Sequence, residues 1–134
     1  MKKIILNNGV MMPQFGLGTF KVEAGESAYE TVKTALKIGY RHIDTAIMYQ
    51  NEADVARAIK DSGLKREEVF VTTKFAKLHN GNKELIQKDI DESLQRLDLG
   101  YVDLILIHWP NVDENINLAA WQVLESYYKK GFFK

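Results

Sequence analysis

The sequence predicts an α/β fold in which an N-terminal β-hairpin is followed by four strand–helix units. Three observations carry that expectation. Short apolar runs alternate strictly with amphipathic stretches, which argues for parallel strands joined by helical crossovers. Glycines stand at the exits of the helical stretches, at Gly39, Gly63, Gly100 and Gly131, where a left-handed residue closes a helix. The run from Val102 to Ile107 is almost wholly apolar, as expected of a parallel strand covered on both faces.

In chain order, Ile4 to Leu6 and Val10 to Met12 flank Asn7-Asn8-Gly9, a turn whose residues tolerate positive φ and so read as a hairpin. Pro13 ends it. Phe15 to Thr19 is the first strand of the repeating series. Its helix repeats Ala28, Val32, Ala35 and Leu36 on one face, with Ser27 and Glu30 spaced as a capping box. Arg41 to Asp44 is the second strand, and Asn51 reads as the cap of the next helix, with Asp54 reciprocal and Val55 and Ile59 inward. Val69 to Thr73 is the third strand. A helix from about Lys83 to Leu97 follows, striped by Ile86, Ile90, Leu94 and Leu97. After the fourth strand a last helix presents Trp121, Leu124 and Tyr128. Residues 1–134 read as one domain, with the hairpin at 1–13 and the four units at 15–134. Closure is a separate matter: half of a parallel (β/α)8 barrel and a four-stranded doubly wound sheet both satisfy this pattern, since a full barrel takes ~250 residues.

Composition narrows the function. Hydrophobic residues make up 46% and charged residues 27% of the chain, and 18 basic residues balance 18 acidic ones. Nucleic acid and anionic membrane need clustered positive charge, so the expected partner is a small molecule. No cysteine is present, which excludes disulfides and thiolate chemistry and fits a reducing cytoplasm. No apolar run approaches the ~20 residues of a membrane span, and the three histidines show no metal-ligand spacing.

Active sites of parallel α/β folds lie at the C-terminal strand ends. Those ends carry Thr19-Phe20, Asp44, Lys74 and His108, with Tyr49 in the loop after Asp44. Each alone has an ordinary structural reading, as a hydrogen-bonding histidine, a snorkelling lysine, a loop cap or an amphipathic loop residue. Together they make a chemical set. A carboxylate keeps a neighbouring lysine charged, and a charged lysine favours the phenolate of a nearby tyrosine, which can then exchange a proton with an oxygen. Gly16 and Gly18 lack the third glycine and following helix of a dinucleotide loop, so close backbone packing, or close approach of the backbone to a bound group, is the better reading. His42, His79 and the Lys65-Arg66-Glu67-Glu68 run read as structural, loop and solvated surface respectively.

The stretches Gly16-Leu-Gly-Thr-Phe20, Arg41-His-Ile-Asp-Thr-Ala46 with Tyr49 and Asn51-Glu52, Thr73-Lys74 and Asp103-Leu-Ile-Leu-Ile-His-Trp-Pro110 resemble the aldo-keto reductases. The resemblance runs from the hairpin to about Gly131, as separated blocks in the right order. It implies a half-barrel of the (β/α)8, TIM-type fold. It also implies an NADPH-dependent reductase of aldehydes and ketones, with Tyr49 as general acid, Lys74 and Asp44 tuning it, and His108 orienting the carbonyl. Gly18, Thr19 and Asp44 would meet the cofactor, bound without a Rossmann domain. Phe20, Tyr49, His108 and Trp109 would line the substrate pocket, although Phe20 and Trp109 read equally well as core packing.

Two positions depart from the family pattern, Ala56 where glycine is common and Ala76 where many members have tryptophan. The resemblance stops near the barrel midpoint, and the later half supplies most cofactor contacts in the family. An alternative therefore stands beside the enzyme: a catalytically incomplete half-barrel that self-associates or pairs with a complementary second half, since a half-barrel leaves strand edges and apolar surface uncovered.

Overall fold

The computed structural model describes residues 2–134. Strands β1 (Lys3–Ile5) and β2 (Met11–Pro13) form the antiparallel hairpin, with Ile4 opposite Met12. Gly9 closes its turn at φ 85°, its N–H donating to Leu6 O at 2.9 Å, in the region that glycine enters without a Cβ clash.

Four parallel strands follow in chain order: β3 (Leu17–Gly18), β4 (His42–Asp44), β5 (Phe70–Phe75) and β6 (Leu104–Ile107). They alternate with α1 (Glu26–Lys37), α2 (Glu52–Asp61), α3 (Lys83–Leu97) and α4 (Glu114–Lys129). Each helix packs against the next, so the four form one row over one face of the sheet. A doubly wound sheet reverses its strand order and carries helices on both faces. Unreversed order with one row of helices is half of a (β/α)8 barrel.

The core fills the space between sheet and helices. Ile43, Val71 and Phe75 from the strands meet Val32, Val55, Ile59, Ile86, Ile90 and Val123 from the helices, all buried. Side chains alternate along a strand, so His42, Asp44, Thr72 and Lys74 occupy the opposite, inner face, and register sets Leu104 and Leu106 beside Thr72 and Lys74. This corrects the expectation that the fourth strand is covered on both faces. Its helix side packs on the core, but Leu106 on the inner side is 40% exposed.

Other local expectations yield to tertiary contacts. Ser27 and Glu30 form no capping box: α1 begins at Glu26 behind Gly25, whose N–H donates to Asp54 Oδ2 at 2.7 Å. Asn51 does stand at the start of α2, but its side chain caps nothing there. Arg66 is not solvated surface. Its guanidinium reaches Asp103 Oδ2 at 2.7 Å and Tyr101 O at 2.8 Å, and lies over the Tyr101 ring. On α4, Leu124 is buried with Ala120, Val123 and Tyr127, whereas Trp121 and Tyr128 are half exposed. Gly16 has the packing role expected of it, because a Cβ there would come within 2.9 Å of His42 Cγ. His42 cannot easily give way, since Pro13 O and Thr72 Oγ1 hold both ring nitrogens.

Candidate active site

Strand register builds the site. Asp44 is the last residue of β4 and pairs with Thr72, so Lys74, two residues further along β5, projects from the same inner face just beyond it. β5 runs to Phe75, past the end expected at Thr73, and a strand position aims Lys74 more firmly than a loop position would. Lys74 Nζ donates to Asp44 Oδ1 at 2.5 Å, to Thr45 O at 2.9 Å and to Tyr49 Oη at 3.5 Å. The lysine is largely buried and the aspartate partly so, which strengthens their attraction over that of a surface pair.

Tyr49 ends a short 3-10 helix, Ile47–Tyr49. Its ring meets Phe20 at 5.3 Å between centroids and His108 edge-on at 5.7 Å. His108 follows β6 directly and its N–H donates to Phe75 O at 2.8 Å. The Trp109 ring stacks on its imidazole at 4.8 Å. Asp44, Tyr49, Lys74, His108, Phe20 and Trp109 are thus brought to one rim. Phe20 and Trp109 are 63% and 58% exposed, so they are not core. Ala76 borders an open cleft with His79, Trp109 and Asn111.

The two remaining residues expected there differ from each other. Gly18 ends β3 with nothing within 4 Å of where a Cβ would stand, so its backbone is open to a ligand. Thr19 is fully buried, and its hydroxyl lies 3.2 Å from both Asp44 O and Asn51 Oδ1. Beneath the rim lies a group that sequence reasoning missed. Glu52 is buried, with Oε1 accepting from Thr73 and Ser93 hydroxyls at 2.6 Å and Oε2 accepting from Arg96 Nε at 2.9 Å. Its quoted place beside Asn51 was a signal, but its partners are 21 to 44 residues away in sequence. Among the described residues no cluster of His, Asp or Glu is arranged to hold a metal ion.

Burial pushes the His108 imidazole below its ordinary value, the Lys74 charge adds to this, and Asp44 opposes it. Its Nδ1 is buried without a protein partner. The imidazole is therefore neutral at pH 7, and the unfolded chain binds more protons than the folded one between the depressed value and the usual ~6.5. The stability tied to it is present above that usual value and is lost as pH falls through the depressed one. An NMR titration should place the His108 midpoint below those of free histidine; a midpoint at or above the ordinary value would contradict this environment.

The pattern of the Aldo/keto reductase family matches residues 14–134, and the chain belongs to that family. It is 50% identical over 126 residues to glyoxal reductase of Bacillus subtilis, covering 94% of this chain and 45% of the relative. It is 53% identical over 109 residues to glycerol 2-dehydrogenase (NADP(+)) of Saccharomyces cerevisiae, covering 81% and 34%. Among solved structures, an aldo/keto reductase from Brucella melitensis superposes with a TM-score of 0.91 at 38% identity, covering 98% of this chain and 51% of that one. The chain spans about half the length of the relatives it matches or less.

Proposed function

We propose that the chain carries the proton-transfer half of an NADPH-dependent reductase that converts aldehydes or ketones to alcohols. One observation carries the reading: Lys74 Nζ joins Asp44, Thr45 O and the Tyr49 hydroxyl in a single hydrogen-bonded set. Tyr49 Oη gives its proton to the carbonyl oxygen as general acid. The oxygen that becomes negative faces the Lys74 ammonium, and Asp44 keeps that ammonium charged and aimed. His108, neutral by burial, orients the carbonyl by donating a hydrogen bond from its one N–H. Phe20 and Trp109 wall the pocket and shed water from it.

The nicotinamide end of the cofactor fits this rim on two observations. Gly18 leaves open space above the end of β3, and Asp44 Oδ2 has no hydrogen-bond donor among the described residues. Gly18 and Asp44 would hold it, and when bound it supplies the hydride. Thr19, buried with its backbone N–H given to Asp44 O and its carbonyl taken by Val22 and Asn51, supports that edge from beneath. Relatives named for glyoxal reduction and for NADP(+)-linked glycerol dehydrogenation support small carbonyl compounds as substrates. A reducing cytoplasm suits a chain without cysteine.

A second reading rests on what is uncovered. Among the described residues β3 and β6 pair with no further strand at their outer edges, apart from the bridge of Val102 to Phe133 just ahead of β6. Leu106 on the inner face and Trp121 and Tyr128 on α4 are 40%, 56% and 51% exposed. Such a face takes a complementary half-barrel, supplied by a second copy or by another chain segment, and activity then depends on that assembly. One experiment addresses both readings: aldehyde-dependent NADPH consumption by the purified chain, with its mass followed by light scattering. Consumption by an assembled species supports both. Consumption by a strict monomer removes the second, and no consumption by any assembled form removes the first.

A further inference from the structure

We propose that Asn51 is a positioning residue of this site, holding the 19–22 turn so that Phe20 stands against Tyr49. The residue is fully buried, and every hydrogen-bonding position of its carboxamide faces a partner, although the Thr19 hydroxyl shares its one proton between Asn51 Oδ1 and Asp44 O. Nδ2 donates to Thr19 O and to Val22 O, each at 3.0 Å, while Oδ1 lies 3.2 Å from the Thr19 hydroxyl and 3.0 Å from that of Thr45. A primary amide offers two donors and a doubly accepting oxygen, so these contacts exhaust it. Three segments meet at this one side chain: the turn after β3, the end of β4, and the start of α2.

Backbone strain shows that the clamp has work to do. Lys21, inside the clamped turn, takes φ 61°, and Gln50, between Tyr49 and Asn51, takes φ 58°. Left-handed geometry at a non-glycine residue is strained by its Cβ and persists where the surroundings over-determine it. Each strained residue directly follows one of the two rings it serves, Phe20 and Tyr49, whose centroids lie 5.3 Å apart. The turn's own bond, Val22 N–H to Thr19 O at 3.1 Å, closes it but ties it to nothing else. Asn51 ties it to the helix that follows Tyr49. Alanine at this position leaves Val22 O without its side-chain donor, leaves Thr19 O only the Val22 N–H, and removes the Asn51 Oδ1 contact from the Thr19 and Thr45 hydroxyls.

The inference rests on the reading of Tyr49 as proton donor, and its test does not depend on turnover. In the unaltered chain, NMR should show slowly exchanging Asn51 side-chain amide protons and NOEs between the Phe20 and Tyr49 rings. In Asn51→Ala the Phe20–Tyr49 NOEs should be lost, while those between the stacked Tyr127 and Phe133 rings, 5.7 Å apart elsewhere in the fold, remain. Persistence of the Phe20–Tyr49 NOEs in a folded Asn51→Ala chain would overturn the proposal. If that variant does not fold, the unaltered chain decides: Asn51 amide protons exchanging as fast as those of a free side chain overturn it. Failure of the Tyr49 reading looks different, because a Tyr49→Phe chain as active as the original leaves these NOEs untouched.

Discussion

Replacing Tyr49 by phenylalanine is expected to lower kcat for carbonyl reduction by about 10²–10⁴-fold, the usual contribution of a positioned general acid. The substitution is unusually clean here. Phenylalanine keeps the ring that packs against Phe20 and His108, and it removes only an oxygen whose protein contact is Lys74 Nζ at 3.5 Å. KM should change far less than kcat, because the lost interaction forms chiefly as the carbonyl oxygen gains charge. Steady-state kinetics with a small aldehyde and NADPH, on whichever assembled form is active, makes the comparison. A kcat within a few-fold of the original would show that proton delivery comes from elsewhere on the rim, with His108 the nearest alternative.

The second large effect concerns stability. Arg96→Met should destabilise the fold by about 3–5 kcal/mol, the range for stripping the partner from a buried charge. The asymmetry of the pair is the reason. The Glu52 side chain is 0% exposed and that of Arg96 38%, so the arginine can find water when parted and the glutamate cannot. Thr73 and Ser93 would still donate to Oε1, but two neutral hydroxyls do not balance a carboxylate's charge. Such a loss is a large part of the 5–15 kcal/mol that typically holds a domain, and the midpoint of urea unfolding would fall accordingly. Glu52→Gln, which removes the charge and keeps the shape, should cost less than Arg96→Met. Equal or reversed costs would mean that water reaches Glu52 in the folded state. The effect also bears on the site, because Thr73 precedes Lys74 and the Glu52 bond fixes that part of β5.

Much of the architecture was legible in the residues. The hairpin, the four strand–helix units and the span of α3 follow from patterns contained within a few residues of each other. So do the strand ends that bear Asp44, Lys74 and His108. The strand ends already grouped those residues with Tyr49; resemblance supplied their separate roles and the half-barrel reading, and strand order and helix placement then separated the half-barrel from a doubly wound sheet. The misreadings share a cause. Ser27 and Glu30 have the spacing of a capping box, yet Asp54, 29 residues from Gly25, holds the start of α1 instead. Asn51 has the look of a helix cap, yet two loops claim its carboxamide. Arg66 sits in a charged run, yet Asp103 and Tyr101 draw it in.

By itself, then, the sequence determined the kind and order of the elements and which chemical groups stand at the strand ends, because helical period, strand alternation and glycine stops act over neighbouring residues. Tertiary structure alone decided which polar side chains are buried and whom they serve. Asn51 and Glu52 meet partners 6 to 44 residues distant, and Arg66 reaches Asp103, 37 residues away; a buried donor or acceptor must be satisfied by whatever group the fold brings beside it.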